Sequence, residues 1–207
     1  MELTFAITAF FTLFVVIDPI GLAPIFVAMT SGMSQRQRLA IATRACIVAA
    51  VILTVFGLAG QAILDFIGIS LAAFRISGGI LLFITALDML FERRTARREE
   101  QSEGAPDDDD PSIFPIAMPL IAGPGAMATM ILLATSEDWI VVTGVMAVML
   151  FVVFLVFALF LLAAPIEKLL GATGVKVVTR LMGMLLAALS VQFVVDGMRD
   201  LGVLAAG

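Results

Sequence analysis

With 207 residues, 61% of them hydrophobic and only 14% charged, the chain has too much apolar surface to hide as a soluble domain. It contains no histidine and a single cysteine, Cys46, which leaves little material for a zinc site, a haem site or a disulfide framework. The net charge of −5 is concentrated between Glu92 and Asp110, where eight acids meet four arginines, so the remainder is nearly neutral and no nucleic-acid surface is expected.

Mean hydropathy is +1.13, and several apolar runs reach the ~20 residues that a helix needs to cross the hydrocarbon core. The expected class is an all-α membrane protein. The first span covers Leu3 to about Thr30. It follows Met1-Glu2 with no basic n-region, so it reads as an uncleaved span rather than a secretory signal. Two prolines, a glycine and an aspartate interrupt it at Asp18-Pro19-Ile20-Gly21-Leu22-Ala23-Pro24. Span two runs from about Leu39 to Gln61, with Cys46 as a buried inert thiol, and Asp65 to Ser70 is expected to turn. Span three runs from about Leu71 to Phe91.

The polar stretch 92–112 reads as an acidic linker between two units, 1–91 and 113–207. Span four, about Ile113 to Ala134, is interrupted at Met118-Pro119-Leu120-Ile121-Ala122-Gly123-Pro124-Gly125. Trp139 suits the bilayer interface at the start of span five, which runs from Ile140 to about Ala164. Glu167 to Lys176 reads as a loop, and span six covers about Val177 to Val195.

Ten of the twelve basic residues then fall in or near loops one-two, three-four and five-six. The positive-inside rule places those loops in the cytoplasm and both termini outside. Three spans per unit is an odd number, so the second unit enters the membrane from the opposite side. Pro19 and Pro24 recur 100 residues later as Pro119 and Pro124, and the run from Arg75 to Leu82 echoes the run from Arg180 to Leu186. The expected architecture is six transmembrane helices in two inverted three-helix repeats, with spans one and four discontinuous.

A helix broken in mid-bilayer exposes N–H groups that attract an anion, while unwound carbonyls attract a cation. Gly21, Gly123 and Gly125 allow a small ligand to approach the backbone. Asp18 is the one acid at either break. It suits an ammonium group, a sodium ion or a transported proton, and equally suits a helix cap. Thr129, Thr85, Ser77, Ser190 and Gln192 either line a polar path or bond between helices. Arg75 and Arg180 read as snorkelling residues, and Asp88 and Asp196 as interfacial acids. A small chamber of mixed polarity fits a zwitterion of amino-acid size.

The motifs from Asp18 to Phe26 and from Phe114 to Gly125, with Phe74 to Leu81 and Arg180 to Gly183, resemble the MarC family of bacterial inner-membrane proteins. The resemblance spans nearly the whole chain outside the acidic linker. It implies a six-span transporter of small neutral amino acids such as glycine, alanine or serine; coupling to H+ or Na+ by alternating access, and no enzyme activity, are expected beside it. The resemblance implies a substrate site at Asp18, Pro19, Gly21, Pro24, Pro119, Gly123, Pro124 and Gly125, to which the polar-path reading adds Thr129. The partners are then the amino acid and membrane lipid, with no cofactor beyond the coupling ion. Efflux of small metabolites or drugs is the competing reading. An intramembrane enzyme has no cluster of catalytic groups to support it.

Overall fold

A computed structural model describes residues 3–91, 111–136 and 138–203, with the backbone alone at 164–170 and 172. The acidic stretch 92–110, most of the expected linker, lies outside the described residues, as does Glu137. Among the described residues every regular element is a helix. In order they are α1 (Leu3–Ile17), α2 (Pro19–Met29), α3 (Gln35–Ile67), α4 (Leu71–Leu90), α5 (Ser112–Ile121), α6 (Pro124–Ala134), α7 (Trp139–Leu161) and α8 (Ala163–Asp200).

Leu3–Met29, Gln35–Ile67, Leu71–Leu90, Trp139–Leu161 and Thr173–Asp200 are each long and apolar enough to cross a membrane, and α5 with α6 is long and apolar enough only as a pair, bent by 57°, which gives five spans, or six if that pair crosses as one. Leu3–Met29 is the most heavily covered of the five helices. Its neighbours α6, α7 and α8 bury Ala9, Leu13, Val16 and Ile17.

α3 begins at a capping box. The Ser34 hydroxyl accepts from the Gln37 N–H at 3.4 Å, and the Gln37 side chain accepts from the Ser34 N–H at 2.9 Å. The helix ends at Gly68, whose φ of +83° provides the left-handed cap. Helical geometry therefore carries through Asp65 to Ile67, and the expected turn shrinks to Gly68–Ser70. Its 33 residues span roughly 50 Å, more than the hydrocarbon thickness, so its polar start projects beyond the apolar layer. Cys46 is buried and free, as expected.

α4 and α8 form an antiparallel pair whose register is set by glycines. Added Cβ atoms would meet Ser190 O at 2.8 Å from Gly79, Ala86 O at 3.2 Å from Gly183 and Ala72 O at 2.9 Å from Gly197. Lacking that carbon, the two backbones close on each other, which is the main source of helix association where lipid is as apolar as leucine. Arg75 closes one end through a 2.6 Å ion pair to Asp200, rather than simply snorkelling. Asp196 accepts from Gln192 and Arg199 at the same end. Asp88, near the end of α4, is buried within the protein.

The expected loop from Glu167 to Lys176 is helical backbone, interrupted only at Gly171, whose φ of +61° admits glycine readily. Pro165 does not end a helix there. It falls in the first turn of α8, where a missing N–H costs nothing.

Candidate functional site: two interrupted spans

The first interruption is shorter than the sequence suggests. Pro19 to Pro24 is helix, and Asp18 alone departs from it, with φ 57° and ψ 63°. Pro19 occupies the first position of α2, where its fixed φ and missing donor are tolerated. Pro24 sits inside α2, at the cost of one backbone hydrogen bond and without ending the helix. The backbone ladder runs past the break. Asp18 N–H donates to Phe14 O at 2.9 Å, and Asp18 O accepts from Leu22 N–H at 3.0 Å. The left-handed conformation is one that aspartate tolerates better than most residues.

The Asp18 carboxylate folds over the start of α2 and accepts from the Gly21 N–H at 3.1 Å. Gly21 is required for this, because a Cβ there would collide with the carboxylate. Asp18 is only 2% exposed, so this charge-bearing group lies inside the protein. The cap reading of Asp18 is thus realised.

The second interruption is longer and begins earlier than expected. Phe114 and Met118 have extended φ/ψ, each before a cis proline, Pro115 and Pro119. Between and after them the chain winds widely, so Ile116 N–H reaches Pro111 O at 3.3 Å and Ala122 N–H reaches Ala117 O at 2.9 Å. Regular helix resumes at Pro124 with Gly123 in the capping position, in extended conformation and without a side-chain cap. The first N–H groups of α6 have no intrahelical acceptor, as at any helix start. A Cβ on Gly123 would sit 2.7 Å from Pro119 O, so the turn into α6 is closed to any larger residue.

The helix starts offer a second spacing beside the 100-residue one. α2 and α6 are both 11 residues long and both begin with proline, Pro19 and Pro124, which are 105 residues apart. The same interval separates Arg75 from Arg180. In this register Asp18 corresponds to Gly123, and Pro24 to Thr129.

The end of α1 packs on the start of α6. Gly125, the second residue of α6, faces Val16 and Leu82, whose nearest atoms lie 3.4 Å and 3.2 Å from where its Cβ would be. Val16 is two residues before Asp18. Thr129 lies one turn beyond Gly125 on the same face, and helical side chains lean back over the preceding turn. Thr12, Thr30, Thr85 and Thr135 each donate to the carbonyl four residues back. The fully buried Thr129 Oγ1 has no partner among the described residues, an arrangement that costs roughly 1–3 kcal/mol.

Of the expected site residues, Asp18, Pro19 and Gly21 share the first helix start, Gly123, Pro124 and Gly125 share the second, and Thr129 lies a turn into α6. Pro119 and Pro24 stand aside, one in the irregular approach to α6 and the other a turn into α2. Ser190 and Ser77 donate to backbone carbonyls of their own helices. Ser77 also joins Pro124 in lining a 420 Å³ cavity beside α3, α4 and α6. Val16 and Leu82 could not be singled out in the sequence, since nothing distinguishes them from other apolar residues. Among the described residues, no cluster of three or more acidic or thiol ligands is placed to hold a metal.

The model for the MarC family of integral membrane proteins matches residues 3–201. Similar proteins include a UPF0056 membrane protein of Archaeoglobus fulgidus, 38% identical over 96% of this chain and 94% of its own length. The UPF0056 membrane protein MJ1677 of Methanocaldococcus jannaschii is 35% identical over 96% of this chain and 98% of its own. The UPF0056 inner membrane protein YhgN of Escherichia coli is 35% identical over 93% and 95% respectively. No solved structure matches.

Proposed function

The chain belongs to the MarC family of integral membrane proteins, and from that premise we propose that it is a secondary transporter of small neutral amino acids, of the glycine, alanine and serine class. The observation that carries this reading is the packing of the end of α1 on the start of α6 at Val16 and Gly125. On this reading a buried carboxylate and an uncapped helix start serve one site. Asp18 holds the substrate ammonium or the coupling ion, H+ or Na+. The first N–H groups of α6 and the positive end of its dipole hold the substrate carboxylate. Thr129 supplies the hydrogen bond that its hydroxyl otherwise lacks. Glycine at position 125 keeps the space small, which favours a substrate with little or no side chain.

Asp18 is shielded in this conformation, so transport needs a second one that opens it. The 105-residue register of helix starts supports two related units. Their opposite insertion would let one rock against the other about the α4–α8 seam. The arginine distribution supports termini outside the cytoplasm, and the inner-membrane designation of YhgN supports the same membrane here.

The test is uptake of radiolabelled glycine, alanine and serine into proteoliposomes, with H+ and Na+ gradients imposed in turn. Accumulation that depends on one gradient is expected. Absence of uptake of all three under both gradients, in either direction, would remove the proposal.

A further inference from the structure

A cavity of about 510 Å³ opens where α2, α3, α7 and α8 come together, well away from the two breaks. Its lining divides in two. Phe26, Val27, Leu39, Phe160 and Leu161 make an apolar wall, while Arg36 and Arg38 supply the charge. The wall is firm on one side. Phe26 and Phe160 are both buried and stack with ring centroids 4.3 Å apart and planes within 5°. On the other side Leu39 and Leu161 are about half exposed, which in a membrane span means facing lipid.

Neither arginine forms an ion pair among the described residues. Arg38 is held in place by donating from Nε to Thr30 O at 3.2 Å, which leaves the rest of its guanidinium fork for another acceptor. Arg36 is exposed. The first two residues of α3, Gln35 and Arg36, line the same cavity, so the positive end of a 33-residue helix adds to the field. None of the described lining residues is acidic. Two cations and a helix start above an apolar pocket that opens to the bilayer form a site of fixed polarity.

We propose that this cavity is a binding site for one anionic phospholipid, with its phosphate held by Arg36 and Arg38 and an acyl chain lying against Phe26, Val27, Leu39 and Leu161. Charge selects the headgroup, and the wall selects a lipid over a soluble anion. A zwitterionic phospholipid presents the same phosphate with a compensating cation, which the arginine pair disfavours. The site is independent of the transport reading. It serves equally in a protein that moves any substrate.

The experiment uses the full chain, purified in a neutral detergent and stripped of lipid. Phosphatidylglycerol, phosphatidylcholine and glycerol 3-phosphate are added separately. Retained adducts are counted by native mass spectrometry, and apparent melting temperature is followed alongside. Phosphatidylglycerol is expected to leave one tightly held adduct and to raise the melting temperature, and the other two are not. Arg36→Gln should weaken that adduct roughly fivefold, the contribution of one basic residue at a membrane surface. Because Arg38 also braces Thr30, the second variant is Leu39→Trp, which fills the cavity from its lipid-facing side and leaves both charges in place. It should abolish the adduct while the unliganded protein melts as before. Equal retention of phosphatidylcholine, equal stabilisation by glycerol 3-phosphate, or an undiminished adduct in Leu39→Trp would each overturn the proposal.

Discussion

The two helix starts at the centre of the molecule solve one physical problem in opposite ways. α2 carries its own anion, because the Asp18 carboxylate satisfies the Gly21 N–H and occupies the positive end of the helix. α6 has no such group. Gly123 stands where Asp18 would be, and offers no side chain to the N–H groups that follow. One start is closed by a carboxyl side chain, and the other leaves its first N–H groups uncapped. Under the proposed function, this difference gives the site its polarity, and a zwitterionic substrate would match it.

The sharpest way to break this comparison is Asp18→Asn. Asparagine caps a helix about as well as aspartate and tolerates the left-handed conformation, so the fold should hold. Loss of the charge should lower uptake roughly 30-fold, the equivalent of ~2 kcal/mol for a hydrogen bond to a charged group. Unchanged uptake with unchanged melting would reduce Asp18 to a structural cap.

Gly125→Val tests the packing of α1 on α6. Its side chain would wedge Val16 and Leu82 apart, destabilising the protein by ~2 kcal/mol in denaturation curves and abolishing ligand-dependent stabilisation. If glycine still raised the melting temperature of that variant, the substrate would bind elsewhere.

Gly21→Ala should displace the Asp18 carboxylate from its N–H and cost about 1 kcal/mol, the worth of a cap. Adding Asp18→Gly removes the colliding group, and glycine accepts both the cap position and the positive φ. The double variant should therefore recover most of the stability lost by Gly21→Ala. Strictly additive losses would mean that the contact between these two residues is not what fixes Gly21.

Thr129→Val is the gentlest change. It removes a buried hydroxyl that has no protein partner, so stability should stay level or rise by about 1 kcal/mol. Substrate affinity should fall at the same time. A clear loss of stability would show that the hydroxyl is already satisfied within the protein.

The residues that could be read directly were those whose chemistry is unusual for a membrane helix. Asp18, the prolines and the glycines stand out in apolar sequence because each violates what a lipid-embedded helix prefers. Their consequences were harder to read. A proline's effect depends on its place in the turn. Pro19 and Pro124 sit at first positions and initiate helices, Pro24 is absorbed within one, and Pro115 and Pro119 accompany the widely wound backbone of α5. Spacing between prolines pointed to an interval of 100, whereas the helix starts they create are 105 apart.

Composition and periodicity alone determined that the chain is helical, lives in a membrane and is interrupted in two of its spans, because hydropathy and backbone donors are local properties. Tertiary structure decided which interruption is sealed and which is open, that Val16 and Leu82 face Gly125, and that Thr129 is the buried hydroxyl left over. Those outcomes depend on which neighbour fills the space beside a missing Cβ, and that neighbour lies tens of residues away along the chain.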